Sequence, residues 1–126
     1  MGDMIRRVED CTNDFEIDCV KTVQRIAQEL QDIYDGKVES ETEDGEMMTL
    51  IEYFDDFLDV NYTVNYRREY KSASICIGYG GPNIYIDTDD AYVKLYWGAT
   101  RAEAPFSYTV RDAIDDIFAE YYEIAA

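Results

Sequence analysis

The spacing of the apolar residues changes near residue 60, and this change requires a fold that contains both helices and a sheet. Before residue 60 apolar residues recur every three or four positions, as on one side of a helix; after it they alternate with polar residues, as in a strand. The first helix is predicted from about Asn13 to Asp35. Asn13 and Glu16 match a capping box at its start, and Gly36 supplies a stop signal.

A second helix is predicted from about Gly45 to Leu58, after an acidic loop over residues 37–44. Spacings of four and three residues define the side of this helix that should face the core. The residues on that side are Met47, Ile51, Phe54 and Leu58. The opposite side is then expected to show its carboxylates to water, namely those of Glu46, Glu52, Asp55, Asp56 and Asp59.

Strands and a final helix follow in the second half of the chain. Four strands, joined by short turns, are predicted at residues 60–66, 73–79, 84–87 and 91–97. Residues 98–106 are predicted to be a loop, and Ser107 to cap the last helix. The inward residues of that helix are Val110, Ile114, Ile117, Phe118 and Tyr121. Because short connections require antiparallel neighbours, the predicted fold is α+β: a four-stranded antiparallel sheet with two N-terminal helices and one C-terminal helix on one face.

Length and composition are those of one folded domain. The chain has 126 residues, 47% of them hydrophobic, which is enough to bury a core. We expect residues 1–12 to be loose and residues 13–126 to form a single domain. The three cysteines form no CxxC pair, and we recognise no signal peptide and no apolar run of membrane-spanning length. A reducing, cytoplasmic location is therefore expected.

The charge balance limits the classes of partner. There are 28 acids against 11 bases and no histidine, which gives a formal net charge of −17. Such a chain is repelled by nucleic acid and by anionic membranes, and is attracted to strongly basic protein surfaces. Solubility or adaptation to high salt would also explain acidity, but would spread it evenly. Instead, residues 1–59 carry a net −13 and residues 60–126 a net −4, which favours a dedicated acidic face.

We recognise no catalytic or metal-binding motif in the sequence. Without histidine, Ser-His, Cys-His and His-metal sites are excluded. Helix neighbours such as Asp55 and Asp56 point about 100° apart, so they form no acid–base pair. Aligning Gly45 with the sixth position of a calcium-binding EF-hand loop places Ile51 where a glutamate is required. We therefore expect no enzymatic activity, no metal and no cofactor.

The densest charge lies in residues 39–59, which hold nine acids and no base. Carboxylates three or four positions apart on a helix lie about 5–6 Å from each other, similar to successive phosphates of a nucleic acid strand. The predicted partner-binding acids are Glu39, Glu41, Glu43, Asp44, Glu46, Glu52, Asp55, Asp56 and Asp59. Tyr92 and Tyr96 are predicted aromatic anchors, and a homodimer would extend the acidic surface.

The stretch GGPNIYIDTDDAYVKLYWGATRAEAPFSYTVRDAIDDIFAEYY resembles a tail found in small acidic proteins of bacterial phages and conjugative elements. Its most distinctive parts are GGPNIYIDT and the LYWG strand, and the resemblance spans roughly residues 73–122. The short, acidic profile of the whole chain is similar to that of anti-CRISPR and antirestriction proteins. This resemblance implies a protein that acts in a bacterial host cell and disables a defence nuclease.

Two functions are consistent with these observations. The leading hypothesis is an inhibitor, most directly of an RNA-guided CRISPR effector nuclease, that occupies the basic nucleic-acid-binding surface of its target with acidic side chains. The alternative is a non-enzymatic accessory interaction module of a mobile element, with the aromatic sheet face as its contact. Neither hypothesis involves direct binding to nucleic acid or to a membrane.

Overall fold

The computed structural model describes residues 4–125, and it confirms an α+β fold with one antiparallel sheet. Three α-helices are present in this range: α1 (Asp14–Tyr34), α2 (Leu50–Tyr53) and α3 (Tyr108–Ala125). The strands are β1 (Asp59–Val64), β2 (Tyr70–Gly78), β3 (Asn83–Asp87), β4 (Tyr92–Trp97) and β5 (Thr100–Pro105). Each strand pairs with the next in sequence, so the sheet order is β1-β2-β3-β4-β5.

The sheet has five strands where the sequence predicts four, because the predicted loop over residues 98–106 contains β5. It pairs with β4 through, for example, Leu95 with Ala102 and Val93 with Ala104. The sequence of β5, TRAEAP, is poor in the β-branched and aromatic residues that mark strands. The small side chains of Ala102 and Ala104 are fully buried, and they let α1 pack directly on this strand. The strand is thus selected by packing rather than by its own propensity.

The predicted second helix from Gly45 to Leu58 is wrong, because only the four residues of α2 are helical. Gly45 has a left-handed backbone with φ of 82°, and the Thr49 hydroxyl caps α2 by accepting the Glu52 N–H at 3.2 Å. After Tyr53 the chain leaves the helix through a short turn. The carboxylates of Asp55 and Asp56 would oppose the negative end of a longer helix, since helix C-termini favour cations.

The outer helices match their predictions closely. The side chain of Asn13 caps α1 by accepting the Glu16 N–H at 2.9 Å, and Ser107 caps α3 by accepting the Val110 N–H at 3.1 Å. On α3, Val110, Ile114 and Phe118 are buried, as predicted. None of the helices in the described range is long and apolar enough to cross a bilayer.

The core lies between one face of the sheet and the two long helices. α1 packs over β4 and β5, and α3 packs over β2. The side chains that fill this layer include Leu30, Ile75, Val93, Leu95 and Phe118, all at most 1% exposed. The opposite face of the sheet carries the alternate residues of each strand, which are largely polar or aromatic.

The described part of the N-terminal segment, residues 4–12, contacts the sheet edge, although it is expected to be loose. Ile5 donates its N–H to the Arg101 carbonyl at 2.9 Å and accepts the Glu103 N–H at 3.0 Å, forming a parallel bridge to β5. The Arg6 guanidinium lies 2.6 Å from the Glu103 carboxylate. These contacts cover the β5 edge, which would otherwise offer unpaired backbone groups.

Substitution of Phe54 should test how the acidic half is attached to the core. Phe54 is fully buried and meets the ring of Phe118 edge-on, with centroids 5.4 Å apart. We expect Phe54→Ala to lower the free energy of unfolding by about 3–5 kcal/mol in urea denaturation. Leu58→Ala, at a site 54% exposed, should change it by less than about 0.5 kcal/mol. Equal losses for the two variants would contradict the assigned burial.

Candidate protein-binding surface

Residues 37–49 form an irregular hairpin at the C-terminal end of α1. Its two arms are joined by hydrogen bonds from the Ser40 N–H to the Glu46 carbonyl and from the Met48 N–H to the Val38 carbonyl, both 2.8 Å long. The turn between them contains Gly45, whose positive φ favours glycine. This hairpin replaces the first part of the predicted second helix and carries five of the nine predicted binding acids.

Glu52 ties the hairpin to α2. Its carboxylate accepts the Ser40 hydroxyl at 2.7 Å and the Glu41 N–H at 3.3 Å. The Ser40 hydroxyl oxygen in turn accepts the N–H groups of Thr42 and Glu43, at 3.2 Å and 3.1 Å. Glu52 therefore shapes the segment, whereas the sequence predicts it only as a contact residue.

The other acids of the segment are exposed and carry uncompensated charge. Eight of the nine predicted binding acids are exposed, and Glu52 is half-buried. Within residues 4–125, none of the nine has an arginine or lysine nitrogen within ion-pairing distance; the ion pairs lie elsewhere in the fold. The negative potential of this surface is therefore not neutralised internally, and it acts on whatever approaches.

An open cleft of about 650 Å³ separates α1 from the acidic segment. Six carboxylates line it, from Glu29, Asp32, Glu41, Glu52, Asp55 and Asp56, together with Arg25. Glu29 and Asp32 are not among the predicted binding acids, although their positions on the polar side of α1 are visible in the sequence pattern. On the cleft wall, burial and the nearby Glu29 carboxylate raise the pKa of Tyr53, so this phenol remains neutral.

Asp59 does not belong to this cleft. It begins β1 opposite Cys76, and the Tyr79 hydroxyl donates to its carboxylate at 3.4 Å. Paired residues of antiparallel strands project to the same side of a sheet, so Asp59 lies on the face away from the helices. The row of helical carboxylates predicted from Asp56 to Asp59 does not form.

Three apolar side chains that the sequence pattern predicts to lie in the core are exposed within the acidic surface. Met47, Ile51 and Leu58 are predicted to point inward, but they are 46%, 58% and 54% exposed. Of the four residues predicted to face the core, only Phe54 is buried. Leu50, which is not one of the four, is the other buried residue of this segment. Thr49 is the residue in the sequence that indicates this difference. A helix that begins after a Thr49 cap turns Leu50, rather than Ile51, toward the core.

Tyr92 and Tyr96 lie apart from the acids, on the sheet face opposite the helices. They flank Lys94 on β4, and each ring is covered by an arginine: Arg6 at 5.2 Å from the Tyr92 centroid and Arg101 at 5.8 Å from that of Tyr96. The structure therefore separates the predicted aromatic anchors from the predicted acidic surface.

Lys94 is the centre of a half-buried ion network on that opposite face. Its ammonium lies 2.9 Å from the Asp87 carboxylate and 2.7 Å from that of Asp90. Burial acts to lower the pKa of Lys94, but the hydrogen bonds and charges of Asp90 and Asp87 outweigh it and raise the pKa above its ordinary 10.5. These carboxylates are compensated, unlike those of the cleft.

Among residues 4–125, no cluster of three or more cysteine and carboxylate side chains is arranged to hold a metal ion. Comparison of the chain with protein-family models, curated proteins and solved structures finds no match.

The role of Glu52 can be tested by amide hydrogen exchange. Glu52→Gln keeps the shape but weakens a charge-assisted pair of hydrogen bonds, which are about twice as strong as neutral ones. We expect the Glu41 amide to exchange several-fold faster, while amides of β3 and β4 are unchanged. Glu46→Gln, at an exposed acid of the same hairpin, serves as the control. Unchanged exchange at Glu41 would contradict the shaping role of Glu52.

Removal of the Lys94 ammonium should destabilise the fold by leaving two carboxylates unpaired. We expect Lys94→Met to cost about 2–4 kcal/mol, against less than about 0.5 kcal/mol for Lys71→Met at an exposed site on β2. Because the folded pKa of Lys94 is raised, its contribution is complete below pH 10.5 and declines as the pH rises further. Urea denaturation from pH 7 to 11 should therefore show the variant's deficit shrinking at the alkaline end.

Proposed function

We propose that this protein is a non-enzymatic inhibitor of a bacterial defence nuclease, with an RNA-guided CRISPR effector as the leading target. Its acidic cleft and hairpin occupy a basic surface on which the nuclease would otherwise hold nucleic acid. The observation that carries the proposal is the acidic surface itself. Seven exposed carboxylates of residues 39–56 have no arginine or lysine nitrogen within ion-pairing distance among the described residues: those of Glu39, Glu41, Glu43, Asp44, Glu46, Asp55 and Asp56.

Uncompensated carboxylates favour association with a basic partner for two reasons. They repel one another in the free protein, and lysine or arginine side chains of the partner relieve this repulsion. They also displace the anions bound to the partner, so affinity falls as salt rises, as it does for nucleic acid. The acids of the cleft lie on an irregular hairpin and on α1 rather than on one helix. The proposed competition with nucleic acid therefore depends on the density of negative charge and not on a regular row of carboxylates.

The choice of a nuclease as target depends on the resemblance of residues 73–122 to proteins of phages and conjugative elements. The alternative, an accessory interaction module, is favoured by one observation: the sheet face opposite the helices presents half-buried tyrosines, including Tyr92 and Tyr96. In that case the acidic cleft serves solubility, and the contact lies on the other side of the molecule.

The first test is target-DNA cleavage by a panel of guide-loaded CRISPR nucleases and restriction enzymes, with and without the protein, at 50 mM and 200 mM salt. We expect inhibition of one nuclease class that weakens at least about tenfold at the higher salt. The variant Glu43→Gln/Asp44→Asn/Asp55→Asn/Asp56→Asn should lose most of this inhibition. No inhibition of any nuclease would overturn the proposal.

A matched control carries four neutralised acids outside the cleft and the hairpin: Asp14→Asn/Asp18→Asn/Asp89→Asn/Glu123→Gln. All four side chains are exposed, and the change in net charge is the same. We expect this control to inhibit nearly as well as the wild type. Equal loss in both variants would show that net charge, rather than the acidic cleft, is responsible. Loss caused instead by Tyr92→Ala or Tyr96→Ala would favour the alternative.

A further inference from the structure

We propose that an apolar groove beside the acidic surface receives an apolar side chain from a basic segment of the partner. The groove, of about 400 Å³, lies between the C-terminal end of α1, residues 47–51 and α3. Its walls are mainly apolar and include Ile33, Tyr34, Met47, Ile51, Ala113 and Ile117. This inference rests on the proposed function for the identity of the partner, and it adds the anchor that gives the interface its specificity.

The exposure of Met47 and Ile51 is imposed by the backbone. Met47 forms an antiparallel bridge with Glu39, and the Met48 N–H bonds to the Val38 carbonyl. Met48 packs against the core, and Met47 lies on the other side of this arm and is exposed. Once Thr49 caps α2, Leu50 and the residue four positions later are the pair that faces inward. Ile51 must then point outward. The groove is therefore held open by the same contacts that fix the hairpin.

Three partly exposed bulky side chains converge on the groove. Tyr34 is 45% exposed, Met47 46% and Ile51 58%. Grouped exposed apolar residues of this kind are typical of binding sites, whereas single ones are ordinary. Methionine adapts its shape to different ligands, and tyrosine is favoured at interface centres. The cluster has the composition of a binding centre.

The surroundings of the groove indicate the charge of its occupant. Met47 and Ile51 also form one wall of a neighbouring cleft, whose other residues include Glu43, Glu46 and Asp55. On α3, the exposed Asp116 and Glu120 lie beside Ala113 and Ile117 at helical spacing. An apolar centre with carboxylates on both sides complements a segment in which lysine or arginine residues flank a leucine, methionine or phenylalanine.

The same charges disfavour the other occupants. A second copy of this chain would bring its own acidic rim against this one, and like charges across an interface cost free energy. An anionic membrane is repelled for the same reason. The remaining candidate with the right chemistry is a basic protein segment.

Two labelled peptides test the proposal directly. The first, RKALFAKR, has a central leucine-phenylalanine pair between basic ends; the second, RKAGSAKR, keeps the charges without the anchor. Binding to the full-length protein is measured by fluorescence anisotropy in 100 mM salt. We expect the anchored peptide to bind at least about tenfold more tightly. The double variant Met47→Ser/Ile51→Ser should abolish this difference while retaining weak, charge-driven binding of both peptides.

Leu58→Ser is the matched control, because Leu58 is similarly exposed in the same segment but does not line the groove. It should keep the full tenfold preference. Methionine methyl NMR provides a second readout: the signals of Met47 and Met48 should shift on addition of the anchored peptide, and that of Met4 should not. Equal affinities of the two peptides for the wild type, or no binding of either, would overturn the groove proposal.

Failure of the groove and failure of the proposed function give different results. Salt-sensitive nuclease inhibition that survives Met47→Ser/Ile51→Ser would overturn the groove and leave the acidic mechanism intact. A tenfold peptide preference without inhibition of any nuclease would overturn the proposed target and retain the groove. A wild-type dimer in light scattering that Ile51→Ser converts to monomer would assign the groove to a second copy and overturn the proposed occupant.

Discussion

Burial of Phe54 is the contact on which the shape of the acidic half depends. Its ring lies in the core against α3 and fixes the point at which residues 39–59 meet the hydrophobic layer. Leu50, one helical turn earlier, provides the second attachment. Met48, Tyr53 and Phe57 pack beside these two side chains and are partly buried. The other apolar side chains of the segment, those of Met47, Ile51 and Leu58, remain at the surface with most of its carboxylates.

This attachment offsets the repulsion among the acids. Nine acidic side chains within 21 residues favour an extended, solvated chain, and only a few apolar contacts oppose that tendency. Glu52 contributes by accepting hydrogen bonds from the Ser40 hydroxyl and the Glu41 N–H of the hairpin. The remaining acids of the segment are exposed to solvent. Neighbouring carboxylates of this segment thus differ in their surroundings, since that of Glu52 is hydrogen-bonded within the hairpin and the others face solvent.

The two faces of the molecule use charge differently. On the sheet face opposite the helices, three carboxylates form ion pairs: those of Asp87 and Asp90 with Lys94, and that of Glu103 with Arg6. On the cleft side the carboxylates are not matched in this way among the described residues. Matched charges fix local geometry, whereas unmatched ones create a long-range potential. This contrast is the physical basis for the proposal that the cleft side, rather than the tyrosine face, binds the partner.

The sequence alone determined the fold class, the two long helices with their caps, and four of the five strands, because these depend on local periodicity and on capping side chains. It also located the densest charge. Only the tertiary structure decided that residues 98–106 contain a strand, since the buried alanines of β5 pack against α1, which is distant in the sequence. It likewise decided the short α2, the exposure of Met47 and Ile51, and the separation of Tyr92 and Tyr96 from the acids. A spacing of three and four residues shows which side chains would share one face of a helix. Whether the helix forms over its full predicted length depends on which of those side chains can be buried in the core.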